Sequence, residues 1–131
     1  MALPETNHSP RTVLIVDDSH DLVRVLASWL ERRADRVFCA YSGKEAAAIL
    51  RHNQVDVVVT DVLMPDGDGI ELITSMRHSD KRPRLVAMSG GGRFMNAPNC
   101  LDLAQAAGAN VCLQKPFTHV ELFAAIDGHA A

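Results

Sequence analysis

Five side chains along this 131-residue chain could do chemistry together: Asp17, Asp18, Asp61, Ser89 and Lys115. Each stands at or just past the end of an apolar run. Three carboxylates gathered in one crevice repel one another unless a cation sits among them. Their ligand atoms are all hard oxygen, so the expected ion is Mg²⁺ (or Mn²⁺), with several waters retained. Such an ion is commonly shared with a phosphoryl group, which brings about −1.5 to −2 charges. Lys115 is the compact cation to meet that charge, and Ser89 the hydroxyl donor. A carboxylate can also attack phosphorus and form an acyl phosphate, the role that suits Asp61. Positioning and charge neutralisation are most of what phosphoryl transfer requires. Singly, each residue is more often a turn cap or a solvated group. Their coincidence on four strands is what argues for chemistry.

The elements that must position them follow from the apolar runs. Val57-Val58-Val59 is too short for a helix and is closed by turn residues, so it reads as a strand buried on both faces. Asp61 follows it, and Pro65 with Gly67 and Gly69 turns the chain before the next helix. Thr12–Val16 is a strand ending in Asp17-Asp18, Arg84–Met88 one ending in Ser89-Gly90, and Asn110–Gln114 one ending in Lys115-Pro116. Arg36–Ala40 is a further short strand. Ligands of open α/β sheets bind in the crevice at the carboxyl ends of the strands.

Between the strands lie helical patterns. Ser19 can cap a helix with Leu22, Val23, Leu26, Trp29 and Leu30 on one face, ending near Arg33. Ser42-Gly-Lys-Glu45 matches a capping box before a second helix, closed by His52-Asn53. A third is expected from about Gly69 to Arg77 with Ile70, Ile73 and Met76 inward, and a fourth over Leu101–Ala107, stopped by Gly108. Thr118 can cap a last helix carrying Val120, Leu122, Phe123 and Ile126. Strand and helix alternate five times, which predicts an α/β fold: one parallel sheet covered on both faces, with right-handed crossovers.

Composition bounds the function. The length suits one domain, residues 11–131, behind a loose polar tail over residues 1–10. Sixteen acidic against 13 basic residues give a formal charge of −3, so no nucleic-acid binding is expected. No apolar run approaches a membrane span, and no signal-peptide pattern opens the chain. Cys39, Cys100 and Cys112 are widely spaced without a CxxC, which suits reduced thiols packing in a cytoplasmic protein.

Taken in order, Asp17-Asp18, Asp61 with Met64-Pro65-Asp66-Gly67, Ser89, and Lys115-Pro116-Phe117 resemble the receiver domain of two-component response regulators, over about Arg11 to Gly128. The resemblance implies a flavodoxin-like (βα)5 fold with sheet order 2-1-3-4-5, an order the chemotaxis receiver exemplifies. It implies that Asp61 accepts a phosphoryl group from a phosphohistidine on a sensor histidine kinase or phosphotransfer protein. It implies that Asp18, Asp61 and the Leu63 backbone carbonyl hold Mg²⁺, with Asp17 acting through water, and that a downstream protein partner reads the result. Such a domain catalyses only its own phosphorylation and dephosphorylation. The Lys115-Pro116 peptide is expected to be cis, because X-Pro bonds carry little of the usual penalty and the ammonium must turn back into the crevice.

Two departures bear on the readout. Receivers usually carry an aromatic residue three positions before the lysine, and Cys112 stands there. The loop Gly90–Asn99, with Phe94 and Met95, is longer than usual; Phe94 is the candidate switch residue in place of the ring, acting beside Ser89. Leu63, two residues after Asp61, cannot orient a hydrolytic water by hydrogen bonding. That same leucine argues against an aspartyl-phosphate phosphatase, which places a second acid there. A degenerate receiver acting only as an interaction module is disfavoured by the presence of all five site residues.

Overall fold

A computed structural model describes residues 11–62, 69–76, 82–90, 102, 105, 106 and 108–128, with the side chain of Ile70 left undescribed. Five strands form one sheet: β1 (Thr12–Val16), β2 (Arg36–Ala40), β3 (Val57–Asp61), β4 (Arg84–Ser89) and β5 (Val111–Gln114). The order is β2-β1-β3-β4-β5 and every pairing is parallel. The central runs are apolar throughout because both faces are covered. Val13, Ile15, Val57 and Val59 pack under α1 (His20–Leu30) and the last helix, α4 (His119–Asp127). Leu14, Val16 and Val58 pack under α2 (Gly43–His52) and α3 (Gly69–Met76). The alternation is the period-two geometry of a strand made visible as two cores. No described helix is long and apolar enough to cross a membrane.

The helices start where the capping residues stand. The Ser19 side chain accepts from Leu22 N–H and opens α1. Val23, Leu26 and Leu30 form its buried stripe, while Leu22 and Trp29 are only partly covered. The regular helix ends at Leu30 and one further hydrogen-bonded turn carries the chain past Arg33, with Arg33 and Ala34 N–H both donating to the Leu30 carbonyl, at 2.9 and 3.0 Å. At α2 the capping box is shifted by one residue. Glu45 N–H donates to Ser42 Oγ, but Glu45 Oε1 accepts from Tyr41 N–H at 2.7 Å and not from Ser42. Ser42 is nearly fully extended (φ −156°, ψ 164°), which leaves the Tyr41 amide facing the helix start.

In α3 the inward residues include Leu72 beside Ile73 and Met76. Of the expected helix over 101–107, only residues 102, 105 and 106 are described, and they are helical; the Gly108 amide bonds to the Gln105 carbonyl at φ 126°. The last helix carries the complete box, with Thr118 N–H to Glu121 Oε1 and Glu121 N–H to Thr118 Oγ1. Its buried face is Leu122, Ala125 and Ile126; Val120 points to solvent at 62% exposure. Its far end is fixed by arginines. Arg84 Nε donates to Ala125 O and Arg11 to Ile126 O, while Arg33 and Arg11 pair with Asp127. Cations and donors at a helix C-terminus meet its unsatisfied carbonyls and its dipole.

Candidate functional site

The parallel ladder runs past the strands and holds the site backbone. Asp17 N–H donates to Ala40 O, Val62 N–H to Met88 O, and Lys115 N–H to Ser89 O at 2.8 Å. Four strand ends therefore sit side by side, and Asp17, Asp18, Asp61 and Lys115 come together there, with Ser89 at the end of the adjoining strand. Asp61 is the last residue of β3 and Ser89 the last of β4, each one step deeper in its strand than the sequence suggested. Both are buried, as is Asp17 at 1% exposure; Asp18 is exposed.

Lys115 reaches across this edge. Its Nζ lies 2.8 Å from Asp17 Oδ2 and 3.6 Å from Asp61 Oδ2. The other Asp17 oxygen accepts from Ser19 N–H at 2.9 Å. Both oxygens of this deeply buried carboxylate are thus engaged, which is how a buried charge is tolerated. The Lys115–Pro116 peptide is cis, as expected.

The carboxylates fit a hard divalent cation. Asp17, Asp18 and Asp61 each offer an oxygen, all within 4.8 Å of one another. Opposite ligands of octahedral Mg²⁺ stand about 4 Å apart, less than this spread, so the donor chemistry fits the ion while direct contact by all three carboxylates would need the cluster to draw in. Asp17, already bonded through both oxygens, suits contact through a water. The expected third protein ligand, the Leu63 carbonyl, lies outside the described residues, as do Phe94 and most of the loop that carries it.

Cys112 pairs in register with Ala87 and packs, half-buried, into the core beneath α2 and α3. Burial, and then the charge of Asp102, pushes its thiol up from the ordinary value; burial alone does so for Cys39. Cys100 lies outside the described residues.

Three features of the site are absent from the sequence reading. Thr60, fully buried, donates from Oγ1 to the Asp61 carbonyl at 3.0 Å. Gly69 comes so close to Asp61 that a Cβ would run into the Asp61 carbonyl oxygen, with Val62 Cα only 2.8 Å away. The ring of His20 stacks on Tyr41, with centroids 3.8 Å apart and planes at 7°. A hydroxyl inside an apolar strand and a glycine opening a helix are the signals that could have flagged the first two.

Comparison with known proteins agrees with this geometry. Residues 13–127 match the response regulator receiver domain family. The response regulator GtcR of Aneurinibacillus migulanus is 31% identical over 116 residues, which is 88% of this chain and 46% of that protein. The transcriptional regulatory protein CpxR of Klebsiella pneumoniae is 31% identical over 114 residues, 87% of this chain and 47% of its own length. The chain thus spans about half the length of these curated relatives. Among solved structures, chemotaxis protein CheY4 of Vibrio cholerae superposes with a TM-score of 0.80 at 25% identity, covering 93% of this chain and all of that one. The receiver domain of Francisella response regulator 1452 gives 0.78 at 26%, covering 89% and 93%.

Proposed function

Because the chain belongs to the response regulator receiver family of two-component signalling, we propose that it is a phosphorylation switch with Asp61 as the acceptor. The observation that carries this reading is the ammonium of Lys115 set between buried Asp17 and Asp61 at the carboxyl edge of the sheet. An Asp61 carboxylate oxygen attacks phosphorus, the P–N bond of a donor phosphohistidine breaks, and the electron pair leaves on the imidazole of a sensor histidine kinase or phosphotransfer protein. Lys115 meets the incoming negative charge, and the Ser89 hydroxyl, on the neighbouring strand, donates to a phosphoryl oxygen. Asp18 and Asp61 would hold Mg²⁺, with Asp17 reaching it through water and the Leu63 carbonyl as the further ligand the family resemblance implies. The ion supplies the positive charge that lets a phosphoryl anion enter among carboxylates.

Output passes to a downstream protein partner. Cys112 has no ring to bury, so Ser89 and the segment after it, with Phe94, carry the change. Incubation with acetyl phosphate and Mg²⁺, followed by intact mass, tests the reading. A single stoichiometric phosphoryl adduct, lost in Asp61→Asn, is expected. Continuous phosphate release at high turnover would instead identify a phosphatase, and no adduct a phosphorylation-independent interaction module.

A further inference from the structure

The outermost carboxylate of the site has the least to hold it. Asp17 is fixed by Lys115 and by Ser19 N–H, and Asp61 sits in the β3 ladder. Asp18 is exposed, and among the described residues no hydrogen bond fixes its carboxylate. Its place is therefore set by the turn from Asp17 to His20. That turn has an inner anchor, Ser19, whose N–H bonds to Asp17 Oδ1 and whose Oγ caps α1. Its outer anchor is the stack of His20 on Tyr41, near-parallel at 3.8 Å.

Tyr41 is itself held. Its N–H bonds to Glu45 Oε1 at 2.7 Å, and Glu45 N–H bonds to Ser42 Oγ at 3.1 Å. The one-residue shift of the α2 capping box thus has a local consequence: it pins the backbone of the residue whose ring reaches across to α1. The stack ties the turn carrying Asp18, after β1, to a doubly hydrogen-bonded turn after β2.

The geometry points to Tyr41 as a positioning residue, which through His20 holds the Asp18 turn ready to take up a divalent cation. This rests on the reading of the carboxylate cluster as a Mg²⁺ site. Tyr41 neither ligates the ion nor touches the reacting atoms. Without the stack, the turn must be ordered when the ion binds, and that ordering cost appears as weaker affinity. A merely structural role would lower the melting temperature and leave the affinity of the folded protein alone.

Calorimetric titration with Mg²⁺ decides, using the wild type, Tyr41→Phe, Tyr41→Leu, His20→Leu and the double leucine variant. Tyr41→Leu and His20→Leu should each weaken binding by about three- to tenfold, the range an aromatic pair can supply. Tyr41→Phe, which keeps the ring, should bind like the wild type, and the double variant should be no weaker than either single one. The Mg²⁺ concentration giving half-maximal phosphorylation by acetyl phosphate should rise by the same factor. Because His20 is exposed, His20→Leu tests the tie even where Tyr41→Leu disturbs folding. Wild-type affinity in the folded single leucine variants, a loss in Tyr41→Phe equal to that in Tyr41→Leu, or fully additive losses would overturn the inference. A wild type that takes up Mg²⁺ and phosphoryl while the leucine variants match it overturns this inference alone; a wild type that binds no Mg²⁺ overturns the metal-site reading as well.

Discussion

Lys115 Nζ sits 2.8 Å from Asp17 Oδ2, closer than to Asp61 Oδ2 at 3.6 Å. Asp17 is the more deeply buried of the two carboxylates, and it takes the shorter contact. Lys115→Met should therefore destabilise the protein by about 1–3 kcal/mol, since a buried charge loses its partner while the lysine end of the pair was partly solvated. The same variant should bind Mg²⁺ more tightly, because a competing cation is gone, and Mg²⁺ should restore part of the lost stability. Urea unfolding with and without Mg²⁺ measures both effects. Unchanged stability would show that Asp17 does not depend on this contact.

Asp18→Asn removes one charge from the exposed side of the cluster without touching the Lys115–Asp17 pair. Mg²⁺ affinity should fall by about tenfold or more, the scale of losing one charged ligand. Phosphorylation by acetyl phosphate should slow in proportion and stop in excess chelator. Full labelling of the wild type in chelator would contradict a role for the metal.

Gly69→Ala places a Cβ against the Asp61 carbonyl and Val62 Cα, both backbone and unable to swing aside. Relief requires moving the start of α3 or the end of β3. Overpacking of this kind costs about 1–3 kcal/mol. The variant should melt earlier and accept phosphoryl more slowly, with Asp61 displaced. Melting by circular dichroism beside the acetyl phosphate assay checks the two together; wild-type values in both would show that the approach is not tight.

The Cys112 thiol is pushed up by burial and by Asp102, so at pH 8 it holds less thiolate than a free cysteine. The thiolate is the nucleophile, so alkylation should be slower than in a small thiol and should keep rising with pH past the ordinary thiol range. The sign for stability follows from the same shift. The unfolded thiol gives up its proton first, so this group's contribution is intact below the unfolded value and declines as pH rises above it. Peptide mapping after timed iodoacetamide pulses separates Cys112 from Cys39 and Cys100. Alkylation at the rate of a small thiol would mean that the site opens readily.

Much of this protein was legible in the chain because its signals are local. A β-branched run reads as a buried strand wherever it lies, and Ser19, Ser42 and Thr118 begin their helices through bonds spanning three residues. Asp17, Asp18, Asp61, Ser89 and Lys115 could be brought together on paper, because five strand–helix alternations leave parallel pairing as the ordinary solution and parallel strands end on one edge. The tertiary structure decided what depends on distances between strands. It chose Asp17 over Asp61 as the nearer partner of Lys115, brought Gly69 against the Asp61 carbonyl, and laid His20 on Tyr41. None of these has a spacing rule: the first and last join residues separated by whole elements, and the second joins the end of β3 to the start of α3. Val120 shows the same limit within a single helix: an apolar residue in the right pattern stands exposed, because among the described residues none covers its face. Sequence fixes which groups arrive at the sheet edge through local rules; the angstroms between them, and so the electrostatics of the site, emerge only once the strands are packed.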